Sequence, residues 1–316
     1  MSETATPVGA RLARRGIRKW TPELEGPPVG AYAGMPEYVY HRHPALSSSG
    51  AKKLTEPSTP AHYREYIDNG QAPKKQFDIG TAAHTVVLGT GPTLHVVEAG
   101  SWRTKAAQEE QRWARENNRV PVLTHEYETC LAMGEEIRRH PTASFLFQRQ
   151  RYENGKLIDA TGDPEVSLFW HDEMTRVDKR CRLDWLPSML TEAGVLLVPD
   201  YKTCVSASKD AIDRALRDHK YHQQAQWNTE GILSLGLNGD APVLFVFVFQ
   251  EKTAPYLINV RAISPQTLMV AERKNYEAAQ LFKRCTESGE WPGYGPQIGY
   301  AQLPHWDLKR ELEAMQ

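Results

Sequence analysis

Val195-Leu-Leu-Val-Pro-Asp-Tyr-Lys-Thr203 is the stretch on which the fold turns. Val195 to Val198 is an apolar run of strand length and reads as a buried strand. It ends in Asp200, Tyr201 and Lys202. Side chains alternate across a strand, so Asp200 and Lys202 share one side and Tyr201 takes the other. A carboxylate and an ammonium are thus held together at the end of a buried strand. Such charges are costly to bury unless they pair with each other or with a ligand. Upstream, Cys181-Arg-Leu-Asp-Trp185 brings a second acid, Asp184, on a predicted neighbouring strand. Two carboxylates and a lysine converging at a strand end suit a hard divalent cation and a phosphate.

Around that stretch the pattern has period two. Strands are predicted at about 156–160, 165–170, 177–186 and 194–203, separated by Gly, Pro and Asp turns. Glu165 opens the second of these and reads as a strand-end surface carboxylate, with approach to a metal through water as the alternative. A long helix is predicted over about 208–235, capped by Ser206 or Ser208. Pro242 to Gln250 is an uninterrupted apolar strand expected to be buried on both faces. Tyr256 to Arg261 pairs with it, and Ser264-Pro265 opens a last long helix with proline at its first position. The aromatic tail from Trp291 to Trp306 is expected to lie over the surface.

The N-terminal half is helical in pattern. Ser47 to Ser49 are N-cap candidates for a helix beginning near Gly50, and Pro57 and Pro60 end it. Further helices are predicted at about 60–68, from Phe77 to Leu88, at 104–117, and at 124–139 with Thr124 as cap; 93–98 reads as a strand. Gly80, Ala82 and Ala83 permit close helix packing, and His84 lies one turn after Gly80. Arg103, Lys105 and Arg112 are candidate phosphate contacts, although a solvated helix face is the favoured reading of each. The order of elements predicts an α/β fold with a mixed central sheet and helices on both faces. The expected organisation is a flexible basic segment over 1–35 carrying Arg11, Arg14, Arg15, Arg18 and Lys19. One domain over 36–316 follows, its helical part 36–150 and its catalytic sheet core 151–316.

Composition narrows the class. The 316 residues are 40% hydrophobic and 24% charged, with a net charge of −1, so any nucleic-acid surface must be a local patch. The four cysteines form no C-x-x-C pair, which argues against a zinc or iron–sulfur site. No apolar run approaches bilayer length and the N-terminus has no signal-peptide core, so a cytoplasmic, non-membrane protein is expected.

Asp184, then Asp200-Tyr-Lys202, with Pro199 before Asp200, is the D…(D/E)-x-K pattern of the PD-(D/E)-x-K nucleases. Gly80-Thr-Ala-Ala-His84 resembles the G-x-x-x-H motif of the RecB-like branch, and Tyr221-His-Gln-Gln224 its glutamine motif. A tyrosine is common four residues after that glutamine; here the position is Asn228. Over 36–306 the chain resembles most closely the exonuclease VIII (RecE-like) nucleases of phages and prophages, through these motifs and Tyr40-His-Arg-His-Pro-Ala-Leu-Ser-Ser-Ser-Gly50.

The resemblance implies a restriction-endonuclease-like core and a Mg²⁺-dependent exodeoxyribonuclease, with Mn²⁺ able to substitute. Asp184, Asp200, the Tyr201 carbonyl and, by resemblance, His84 would bind the ion. Lys202 would orient or activate water or stabilise phosphate charge, and Gln224 and Tyr221 would position the scissile strand or the lysine. It also implies processive 5′→3′ digestion of linear double-stranded DNA ends in a bacterial host. The 3′ overhangs would pass to a RecT-like annealing protein for DNA recombination, and the enzyme would be a ring-shaped homo-oligomer. A RecB-like endonuclease, a single-strand-specific nuclease and a catalytically silent DNA-binding module are the alternatives.

Overall fold

The computed structural model describes residues 10–12, 16–23, 26, 28–69, 75–153 and 156–315, with the side chains of 75–78 and 151–156 left aside. The chain begins with β1 (Ile17–Lys19), β2 (Gly30–Ala33), α1 (Glu37–Arg42), β3 (Leu46–Ser47), α2 (Ser48–Leu54), α3 (Pro60–Asn69) and α4 (Lys75–Leu88). It continues through β4 (Leu94–Val97), α5 (Lys105–Glu116), β5 (Val120–Leu123), α6 (Thr124–Arg139) and a single turn, α7 (Ala143–Leu146). Then come β6 (Arg151–Glu153), β7 (Lys156–Ile158), β8 (Gly162–Asp172), β9 (Val177–Pro187) and β10 (Leu196–Cys204). Last are α8 (Lys209–Asp218), α9 (Tyr221–Ser234), β11 (Val243–Glu251), β12 (Ile258–Ala262), α10 (Pro265–Ser288) and α11 (His305–Ala314).

This is the expected mixed α/β architecture. Hydrogen bonding divides the centre into a five-stranded ladder, β1-β2-β8-β9-β3, and a three-stranded ladder, β10-β11-β12. β9 runs against β10 where the ladders meet. β10 pairs with β11 in parallel, and β11 with β12 antiparallel. Along β11, Phe245, Phe247 and Phe249 join the apolar core shared with Trp170, Trp227 and Ala278, whereas Val246 and Val248 join the core shared with Ala82, Ala83 and Met133. The strand is thus buried on both faces, with α2, α9 and α10 over one and α4 and α6 over the other.

Several local expectations are corrected. Segment 1–35 is not simply a flexible tail. β1 pairs with β2, and β2 joins β8, because Ala31 and Tyr32 bury completely; Arg14 and Arg15 lie outside the described residues. The helix predicted over 208–235 is two helices, broken at Lys220, whose φ of 51° is left-handed. The break is put to use. It aims the Lys220 ammonium at the carbonyls of Lys52 (3.0 Å), Thr55 (3.2 Å) and Glu56 (2.7 Å), satisfying the orphan carbonyls where α2 ends. Thr124 does not cap α6: the Glu126 carboxylate accepts from the Leu123 N–H at 3.0 Å, while the Thr124 hydroxyl donates to the Val97 carbonyl. The tail also carries α11, which the Gly/Pro-rich reading missed. Ser47, Ser208 and Ser264 do act as N-caps, each accepting from a backbone N–H three residues on.

Two devices fix α9, which carries the glutamine motif, against the sheet. Lys179, only 2% exposed, places its ammonium 2.8 Å from Asp172 and 2.7 Å from Glu230 of α9, and the Trp170 indole donates to Glu230. Gly231 lies against Trp170: a Cβ there would come within 2.8 Å of the ring. Gly231→Ala should therefore overpack this contact and destabilise the protein by about 1–3 kcal/mol, read as a lowered Tm in thermal denaturation. An unchanged Tm would mean that α9 is free to shift on the sheet. Among the described residues no helix is long and apolar enough to cross a membrane, and all four cysteines are free thiols.

Candidate active site

Asp200 and Lys202 continue the row of Leu196 and Val198 along one face of β10, while Tyr201 turns to the other, as strand alternation dictates. Asp200 is 1% exposed. One of its oxygens pairs with the Lys202 ammonium. The other accepts from the Gln224 amide of α9 at 2.6 Å. On the opposite face the Tyr201 hydroxyl donates to Gln250 at 2.6 Å, and Gln250 in turn donates to the Met133 carbonyl of α6 at 2.9 Å. β10 is thereby tied to the helical half of the chain.

Asp184 comes to β10 from β9. Its Oδ2 accepts the Tyr201 N–H at 2.7 Å and faces His84 Nε2 at 3.0 Å. The structure thus brings His84, Asp184, Asp200, Lys202 and Gln224 into one cluster, from α4, β9, β10 and α9. Tyr221 joins it through its ring, whose centroid lies 5.3 Å from the Lys202 ammonium. Arg103, Lys105 and Arg112 are exposed on and before α5 and take no part in it.

Glu165 is not a strand-end surface residue. It lies within β8 at a left-handed φ of 52°, with Pro164 paired to Trp185 and Val166 to Leu183 on either side. Glu165 therefore stands across from Asp184. A non-glycine residue in that conformation is strained by roughly 1–3 kcal/mol and needs its surroundings to hold it there. Opposite the kink β9 changes face as well: Cys181 and Leu183 point into one core and Trp185 into the other. The result is a carboxylate 3.3 Å from His84 Nδ1, with Arg182 3.8 Å from its second oxygen. The signal was present in the hairpin. Counting back equally on both strands from the turn between Asp172 and Val177 sets residue 165 against 184.

The charges are strongly coupled. Burial pushes Asp200 up to about 6, with the negative charge of Asp184 adding to it. Burial likewise raises Glu165 to about 7. Burial alone would raise Asp184 too, but the charge and hydrogen bond of His84 hold it below its ordinary value. Burial opposes charge on His84, yet Asp184 and Glu165, one at each ring nitrogen, lift it to about 9. Burial opposes the Lys202 ammonium as well, and Asp200 and Asp184 hold it protonated. A second lysine, unnoticed in the sequence, completes the group. Lys52 of α2 lies 5.7 Å from the centroid of the Tyr221 ring, and burial followed by repulsion from Lys202 lowers it to about 7.

Among the described residues no three His, Cys, Asp or Glu side chains stand ready as a coordination shell. Here the acids are satisfied by His84, Lys202 and Gln224. The donor set nevertheless fits a hard cation: three carboxylates and an imidazole converge where the carboxylates repel one another, and a divalent ion would relieve that repulsion.

Comparison with known proteins bears on the fold and the family. Residues 47–304 match the model of a family described as a PDDEXK-like domain of unknown function (DUF3799). The chain is similar in fold to the "Putative exonuclease" of Eubacterium rectale, known from a crystal structure. The TM-score is 0.51 at 11% sequence identity, covering 84% of this chain and 92% of that one. No curated protein matches the chain in sequence. The chain belongs to the PDDEXK-like family, and its core is restriction-endonuclease-like.

Proposed function

We propose that this member of the PDDEXK-like family is a metal-dependent exodeoxyribonuclease. The observation that carries the reading is the convergence of His84, Glu165, Asp184, Asp200, Lys202 and Gln224 on one point from five separate elements of the chain. Family membership supports it, and so does the name given to the E. rectale protein of similar fold.

Asp184 and Asp200, with His84 and the Tyr201 carbonyl, would hold Mg²⁺ or Mn²⁺, and Glu165 would stand beside them as an outer partner. Once bound, the ion would neutralise phosphoryl charge and acidify a water. Gln224 fixes one Asp200 oxygen and so sets the direction of the other. Lys202 holds its proton firmly and serves as a positive group that orients the water or receives charge from the phosphate, rather than as a base at neutral pH. To ligate an ion, His84 would have to be neutral, losing the proton on the ring nitrogen that faces Asp184 or the one that faces Glu165. Tyr221 floors the site, its ring within cation–π range of both lysines.

The likeness to RecE-like enzymes extends the proposal. It supports 5′→3′ resection of linear duplex ends in a bacterial cytoplasm, 3′ overhangs for a RecT-like partner, and a ring-shaped homo-oligomer. Timed digestion of linear duplex DNA labelled separately at its 5′ and 3′ ends, with and without Mg²⁺, tests both levels. Release of 5′ label first, only with the metal, supports resection. Cutting of nicked circles or of single strands alone would replace it with the endonuclease or single-strand reading, and no cutting of any substrate would reject the nuclease. Glu165→Gln keeps the shape of the cluster and should lower the rate about tenfold, within the range for a group acting beside a metal. An unchanged kcat would reduce Glu165 to a structural partner of His84.

A further inference from the structure

A cavity of about 610 Å³ is walled by the end of α2, the start of α3, α9 and α10. That is ample for a small organic ligand. Lys220, Lys274 and Arg284 line it. Lys274 and Arg284 are exposed, and among the described residues neither has an ion-pair partner. The cations lead from the active site to the cavity: Lys52 and Lys202 lie 5.7 and 5.3 Å from the Tyr221 ring centroid, Lys220 donates to the Lys52 carbonyl, and Lys220 and Lys274 both line the cavity. Glu56 and Glu277 are the acids on the wall, and Glu277 is held by Arg273 at 2.6 Å.

A second observation points to a ligand. Gln223, fully buried, also lines the cavity. Its amide nitrogen donates to Asn275 at 3.1 Å, while its Oε1 has no hydrogen-bond partner. Such an acceptor is costly to bury unless something donates to it. Gln223 and Gln224 are adjacent on α9, so the helix that holds Asp200 with one glutamine presents the next to the cavity.

We propose that one DNA strand passes from the catalytic carboxylates over Lys52 and seats a neighbouring nucleotide in this cavity, its phosphates beside Lys274 and Arg284 and a base N–H toward Gln223 Oε1. This rests on the nuclease reading and adds a strand path to it. The basic row is local, which suits a chain whose overall charge of −1 offers no general attraction for a polyanion.

The test is fluorescence anisotropy of labelled duplex DNA with a single-stranded overhang, in EDTA, over a range of salt. Wild type is compared with Lys274→Glu/Arg284→Glu and with a control, Lys309→Glu/Arg310→Glu on α11. All four positions are exposed, so folding should survive, as circular dichroism will show. The cavity variant should bind at least about tenfold more weakly and lose about two units of salt slope, one for each phosphate contact. If wild type binds and cuts DNA but the cavity variant binds as well as wild type, or the control loses as much, the strand path is overturned alone. If wild type neither binds nor cuts DNA, the nuclease reading falls and takes the path with it.

Discussion

Lys202→Ala should lower the rate of DNA cleavage by about 10²–10⁴-fold, the range for loss of a group that handles protons or charge at the reacting centre. The ammonium is the direct ion-pair partner of Asp200 and lies over the Tyr221 ring. Removing it leaves the buried Asp200 carboxylate with only Gln224, and burial then favours protonation of that acid more strongly. DNA binding should largely persist, because Lys52 and the cavity cations remain. Single-turnover digestion beside anisotropy separates the two effects. Full activity in this variant would remove Lys202 from the reacting centre.

The second large effect is expected at Asp184. Asp184→Asn keeps the size of the side chain and an oxygen for the Tyr201 N–H, but discards the charge that faces His84. Replacing a ligand should cost more than the 10–100-fold loss typical of an outer partner, so Mn²⁺ affinity should fall by about 100-fold or more. Titration calorimetry with Mn²⁺ measures this directly, and an unchanged affinity would exclude Asp184 from the metal site. Cleavage should fall with it, and raising the Mn²⁺ concentration should restore part of the rate.

The site's acids and lysine were legible because strand periodicity is rigid: Asp200 and Lys202 share a face whatever else the chain does. Gly80 to His84 and the glutamine motif were legible as spaced residue types. Other features depended on tertiary contacts. Lys52 looks like any lysine on a short helix until α9 is folded against it. Glu165 reads as a strand end because Gly162, Asp163 and Pro164 look like a turn; counting back along the β8–β9 hairpin instead sets it within a strand, across from Asp184. The break at Lys220 left no mark, since Asp218-His-Lys220 has neither glycine nor proline, and the left-handed turn is held by carbonyls more than 160 residues away in sequence. The strands near the N-terminus were hidden for the opposite reason: a glycine- and proline-rich composition reads as loose chain even where Ala31 and Tyr32 fill a core.

Gln250 has one further consequence. By joining Tyr201 to the backbone of α6, it makes the working geometry of β10 depend on a helix finished more than sixty residues earlier, while Gln250 itself arrives among the last strands. A chain still being synthesised therefore holds every acid of the pocket before it holds the brace that sets them. On the reading proposed above, the growing polypeptide has no braced cleavage site until Gln250 has been made.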